Sequence, residues 1–314
     1  MRIIGAVALA HLINDLIQAV LPSIYPMLKA KYDLTFTQIG LITLTFQMTA
    51  SLLQPWVGYY TDRHPNPLLL PAGMVCTLVG ILMLSQVGSF PLILLAAALV
   101  GIGSSTFHPE ASRVARLASG GRYGLAQSTF QVGGNAGSAF GPLLAAAIII
   151  PFGQGNVAWF GLFALFAVGL LYVISRWYRN HLNLFKLKAG QQATHGLSKQ
   201  RVLGALAVLG LLVFSKYFYM ASLTSYYTFF LIEKFDVSVS TSQLYLFLFL
   251  GAVAAGTFFG GPIGDRIGRK AVIWFSLLGV APFNLLLPYA DLFWTSVLSV
   301  IIVFIPASAL SAIV

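Results

Sequence analysis

Apolar residues run along this chain in blocks of about 20, broken by short polar or Pro/Gly-containing stretches, at about 3–28, 38–60, 68–87, 92–111, 123–149, 157–176, 202–230, 241–260, 271–288 and 292–312. The hydrocarbon core of a bilayer takes roughly 20 residues of helix, and lipid offers no partner to an open backbone, so each block predicts one membrane-spanning helix. The ten-residue alternating strands of a membrane barrel are absent. One long polar connection, Arg176 to Arg201, predicts a cytoplasmic linker. The expected fold is therefore an all-α polytopic membrane protein, with residues 1–176 as a six-span bundle, 177–201 as linker and 202–314 as the first four spans of a second bundle.

Composition agrees: 58% of residues are hydrophobic and 8% charged, against roughly 25% charged in ordinary soluble domains. A water-soluble globule is excluded. The formal charge of +10 reads as topology, because a cytoplasmic N-terminus places 14 Lys and Arg on inside connections, 3 outside and Lys216 within a span. No nucleic-acid partner is expected. The single Cys76 excludes an internal disulfide and a cysteine metal cluster. H-E-x-x-H, G-x-S-x-G, G-x-G-D and G-x-x-x-x-G-K-[ST] are all missing, so the matching proteases and an ATP-driven pump lack their chemistry. Neither enzyme activity, cofactor nor metal is expected.

Lys31 to Thr37 pairs conservatively with Lys234 to Ser240 at an offset of 203, and the same offset carries Gly58, Asp62 and Arg63 onto Gly261, Asp265 and Arg266. A duplicated bundle follows, with spans one, four, seven and ten around a cavity. By this arithmetic the second copy stops at the counterpart of residue 111, two spans short of the first. Thr35 to Gln38 and Ser240 to Gln243 both have capping-box spacing at the outer start of a span.

The inside loops Gly58-x-x-x-Asp62-Arg63 and Gly261-Pro-Ile-Gly-Asp265-Arg266-Ile-Gly268-Arg269-Lys270 resemble the signature loop of the major facilitator superfamily. Within it, His11-Leu-Ile-Asn14-Asp15, Phe107-His108-Pro109-Glu110, Gln131-Val-Gly-Gly-Asn135 and Ser215-Lys216-Tyr217-Phe218-Tyr219-Met220 resemble the fosmidomycin resistance family. The resemblance implies a monomeric antiporter of a bacterial inner membrane that exports a small anionic phosphonate drug against inward proton flow. It also implies gating roles for the two loops and an antiporter-like helix at Gly137, Gly141 and Pro142. The chain departs from the superfamily pattern where His64-Pro65-Asn66-Pro67 replaces Gly-Arg-Lys, where Ala97 replaces the fourth-span Arg, and where Ala145 and Ala146 replace a closing Gly pair.

Asp15 and Glu110 are the two carboxylates inside spans, and an ionised group there costs roughly 2.5–3.5 kcal/mol on insertion scales, so such groups line wet cavities and carry protons or ligand. His11, Asn14, Asp15 and Gln18 form one polar stripe on the first span. Asp15 either exchanges protons or bonds to a neighbouring helix. Lys216, at the depth of Asp15 by the repeat, pairs with it, holds an anion together with Tyr217 and Tyr219, or plugs a structural gap. His108 beside Glu110 reads as a proton relay or as an interfacial anchor with Arg113. Gln131 and Asn135 read as helix packing first and cavity lining second. Proton-coupled uptake of a metabolite, and a channel or receptor, are the alternative functions.

Overall fold

The computed structural model describes residues 2–189, 198–267 and 269–313, and among these every regular element is a helix. α1 (Arg2–Ser23) breaks at Ile24 beside Pro22 and Pro26 and continues as α2 (Tyr25–Tyr32). Next come α3 (Phe36–Gln47), a π turn (Met48–Leu52), α4 (Gln54–Arg63), α5 (Leu69–Gln86) and α6 (Phe90–Ala118). α7 (Tyr123–Leu144) runs through a second π turn (Ala145–Ile149) into the short α8 (Ile150–Phe152), followed by α9 (Phe160–Ala189). The remainder is α10 (Lys199–Phe235), α11 (Val239–Ile267), α12 (Arg269–Leu278), α13 (Ala281–Leu286) and α14 (Leu292–Ile313). Eight segments are long and apolar enough to cross a bilayer, and the ninth and tenth apolar blocks of the sequence fall on the shorter helices Trp274–Tyr289 and Leu292–Ala307.

Buried apolar side chains form two clusters. Val7, Ile17 and Leu21 of α1 pack with Met74 and Ile81 of α5, Phe107 of α6, and Phe160 and Tyr178 of the α9 segment. Tyr227 and Leu231 of α10 pack with Leu246 and Phe249 of α11, Ile302 and Val303 of α14, and Ala139 of α7. Large side chains such as Trp56, Leu211 and Phe218 are exposed, as expected where the solvent is hydrocarbon.

The 203-residue repeat reappears in the backbone. Asp33 and Asp236 are the two non-glycine residues with positive φ among the described residues, at 49° and 53°. Each ends a helix in the left-handed conformation and donates its N–H back, to Lys29 O and Ile232 O respectively, and 29 and 232 differ by 203 as well. Asp tolerates that region because its short polar side chain bonds locally. The caps that follow obey the same offset, which corrects one expectation. Thr35 forms the predicted box with Gln38, but its counterpart is Ser238, whose Oγ accepts from Thr241 N at 3.1 Å. Ser240 does not cap, because α11 has already begun at Val239. Gln243, left inside the bundle, is fully buried.

α1 and α7 lie against each other along a glycine seam. A Cβ on Gly137 would sit 2.0 Å from Leu12 O, and one on Gly141 would sit 2.5 Å from Ala19 Cβ. Gly137→Ala should therefore destabilise the purified protein by about 1–3 kcal/mol through overpacking. Gly169→Ala, on α9 with nothing within 4 Å of the new Cβ, should stabilise by about 0.5–1 kcal/mol by restricting the unfolded chain. Thermal unfolding in detergent measures both, and a loss for Gly169→Ala equal to that for Gly137→Ala would refute the seam.

Candidate functional site

The polar stripe of α1 faces α6 and α7, and His108, far along the chain from Asp15, completes it. Asp15 Oδ2 lies 3.2 Å from His11 Nε2, and Oδ1 lies 3.6 Å from His108 Nε2. Asn14 Nδ2 donates to Asp15 Oδ1 at 2.9 Å and Gln18 Nε2 donates to the same oxygen at 3.2 Å. Ser104 Oγ donates to Gln18 Oε1 at 3.1 Å, tying α6 to α1. The His11 ring stacks on Phe130 at 3.9 Å between centroids and meets His108 edge-on at 5.0 Å. Side-chain exposure falls from 25% at His108 through 17% at Asp15 to 4% at His11, so the cluster is most open on the His108 side.

The outer ring nitrogens meet backbone carbonyls. His11 Nδ1 lies 2.7 Å from Phe130 O and His108 Nδ1 lies 3.0 Å from Ser104 O. A carbonyl oxygen only accepts, so each of these contacts is a hydrogen bond only with hydrogen on Nδ1; Ser104 Oγ also lies 3.2 Å from His108 Nδ1, and both Nε2 atoms are turned to the carboxylate. A bare Nε2 lone pair facing a carboxylate is repulsive. Each of the two N···O contacts is attractive only with a proton in it. The three ligating atoms lie within 4.8 Å of one another, close enough to surround a single cation, in a grouping that stands alone among the described residues.

The structure places Glu110 elsewhere. Residues two apart on a helix point to opposite sides, and with His108 turned to Asp15, Glu110 is fully buried and paired with Arg113. Arg113 Nη2 also reaches Asp62 Oδ1 at 2.5 Å, and Tyr178 lies against the same group. Glu110 thus belongs with the first signature loop: Asp62 is held across α4 and α6 by Arg113, a Cβ on Gly58 would meet Pro109 Cβ in ordinary contact at 3.9 Å, and Arg63 lies 3.7 Å over the Tyr59 ring. In the second loop Arg266 is exposed. Gly268 lies outside the described residues, as do the side-chain positions of Gly261, Asp265, Arg269 and Lys270.

Lys216 is buried and donates from Nζ to Ser276 Oγ at 2.8 Å. The structure does not bring it to Asp15, because adjacent helical residues point about 100° apart and it is Tyr217 that comes within electrostatic reach of Asp15. Tyr219 OH donates to Asn284 Oδ1 at 2.5 Å. Gln131 and Asn135 are half-buried on α7 and make no side-chain hydrogen bond among the described residues. Gly137, Gly141 and Pro142 are buried in the seam with α1. Sequence reading missed Ser104 and the pair Gly133 and Gly134. A Cβ on Gly134 would lie 2.4 Å from His11 Nε2 and 2.7 Å from Asp15 Oδ2.

The sequence profile of the Major Facilitator Superfamily matches residues 7–314. The chain is 61% identical over 311 residues to the Fosmidomycin resistance protein of Escherichia coli (strain K12), covering 99% of this chain and 77% of that one. It is 42% identical over 287 residues to the uncharacterized MFS-type transporter YfnC of Bacillus subtilis (strain 168), covering 90% and 70%. Among solved structures, a bacterial homologue of the human lysosomal transporter Spinster, inward-facing and occupied, superposes with a TM-score of 0.74 at 17% identity, covering 98% of this chain and 72% of that one. A D-xylose-proton symporter superposes with a TM-score of 0.74 at 15% identity, covering 98% and 79%. At such identities the two structures share the fold alone.

Proposed function

The chain belongs to the Major Facilitator Superfamily, and from that premise we propose that it exports a small anionic drug of the phosphonate class, exchanging it for protons by alternating access. The protein sits as a monomer in a bacterial inner membrane with its N-terminus in the cytoplasm. Ten spans divide into a bundle at 1–176, a linker at 177–201 and the spans of 202–314. The substrate class rests on the name of the 61% identical relative.

The observation that carries the coupling is the carboxylate of Asp15 held between two imidazoles whose outer nitrogens are already committed to backbone carbonyls. With both Nε2 atoms protonated the cluster bonds to itself and carries one net positive charge. With protons lost, the same Nε2 and carboxylate atoms become acceptors open to a substrate hydroxyl or amide. Proton and substrate then compete for the same atoms, which is what exchange requires. On α10, Tyr217 faces Asp15, and Lys216 with Ser276 and Tyr219 with Asn284 hold the anionic end by charge and hydroxyl donors. Protons enter past His108, the more exposed imidazole. The Asp62, Arg113 and Glu110 network latches the inside face between half-cycles.

Vesicles containing the purified protein and loaded with a phosphonate test the direction of coupling. Outward movement of drug should acidify the vesicle interior. Alkalinisation would mean cotransport of proton with substrate, and drug movement with no pH change would remove the proton altogether.

A further inference from the structure

We propose that Gly133 and Gly134 of α7 are positioning residues that uncover one helix carbonyl, Phe130 O, so that it fixes the tautomer of His11. Helical side chains lean toward the N-terminus and cover the turn behind them. The carbonyl of residue 130 is therefore shielded by whatever stands at 133 and 134, and here both are glycine. Phe130 O already accepts from its own helix, and its second lone pair accepts His11 Nδ1–H from α1 at 2.7 Å.

Each glycine admits α1 in its own way. A Cβ on Gly133 would fall 2.3 Å from Ala8 O, holding the two backbones apart, and one on Gly134 would fall 2.4 Å from both Cε1 and Nε2 of His11. The stacking of His11 on the Phe130 ring needs the same close approach. Without the Phe130 bond nothing favours hydrogen on Nδ1 over Nε2, and a neutral His11 would turn an N–H toward Asp15, satisfying the carboxylate without any exchangeable second proton. The functional meaning of this assignment rests on the proton-exchange reading; the assignment itself rests on geometry alone.

The test is 15N NMR of histidine-labelled full chain in detergent at alkaline pH, where imidazoles are neutral, with His11 assigned by His11→Gln. The native protein should show His11 with hydrogen on Nδ1; hydrogen on Nε2 would overturn the proposal without any glycine variant. Gly134→Ala should lose that signature while the fold is retained, as judged by circular dichroism and elution volume. Gly141→Ala, which crowds the same seam at Ala19 without touching the Phe130 carbonyl, should keep it. A Gly134→Ala protein that keeps the Nδ1–H form, or a Gly141→Ala protein that loses it, would overturn the assignment. Vesicle flux plays no part in these readouts, so failure of proton coupling and failure of the tautomer device are told apart. Should Gly134→Ala not fold, the native spectrum decides.

Discussion

Replacing Asp15 with Asn should abolish the dependence of transport on a proton gradient while leaving the carrier able to exchange drug for drug. The amide keeps the shape and can still accept from Asn14 and Gln18, which now donate to Asp15 Oδ1. It no longer presents a negative charge to the Nε2 atoms of His11 and His108. Coupling between two sites typically amounts to 1–3 kcal/mol, so gradient-driven flux should fall by about 100-fold, with drug counterflow changed by less than about tenfold. Measuring both in the same vesicles separates coupling from folding. Retained gradient-driven flux in Asp15→Asn would move the proton site elsewhere, and loss of counterflow together with flux would make Asp15 a structural or substrate-binding group.

The second large effect concerns stability. Arg113→Gln leaves Glu110 fully buried without its cation, and an uncompensated buried charge costs about 3–5 kcal/mol. The double change Arg113→Met with Glu110→Gln removes both charges and should recover most of that loss. Asp62→Asn, whose side chain is 68% exposed, should leave the melting temperature nearly unchanged. It should instead make a cysteine introduced in the inner cavity react faster, because the latch on Arg113 is loosened. Equal melting temperatures for Arg113→Gln and the native chain would show that Glu110 is neutral or otherwise satisfied.

Spans were legible because lipid imposes one rule on every segment: apolar residues outside and backbone bonds satisfied within. The stripe of His11, Asn14, Asp15 and Gln18 was legible for a related reason, since helical spacing alone puts them on one face. What one span's sequence does not carry is the azimuth of its neighbours. The repeat gave Lys216 the depth of Asp15 but not its rotation, and Lys216 turned to Ser276. His108 and Glu110, adjacent in a suggestive motif, went to different sites because two residues turn a helix through about 200°. Gly133 and Gly134 look like ordinary helix-packing glycines until His11 is seen on the carbonyl they expose. The second cap lies at Ser238, the 203-offset partner of Thr35 and two residues before Ser240, because a capping-box spacing alone does not say where the helix begins; Asp33 and Asp236 follow the same offset in conformation as well as in sequence.

The π turn at Met48–Leu52 has a bearing on the inside latch. Such a turn accommodates one surplus residue in an otherwise α-helical span, and Thr49 Oγ1 within it donates to the carbonyls of Thr45 and Phe46. Gly101 of α6 seats the widened turn, since a Cβ there would lie 2.0 Å from Thr49 Oγ1. Everything C-terminal to the turn is thereby phase-shifted relative to a continuous α-helix of the same length. Removing Ala50 would take away the surplus residue and close the span into a continuous α-helix with α4 near its present azimuth, whereas winding the turn as α-helix at unchanged residue count would rotate α4 by about 100° about its axis and swing Asp62 off Arg113. The contact between Asp62 and Arg113 thus depends on how the span is wound well upstream of the loop that forms it, and the turn acts as a washer that takes up one amino acid.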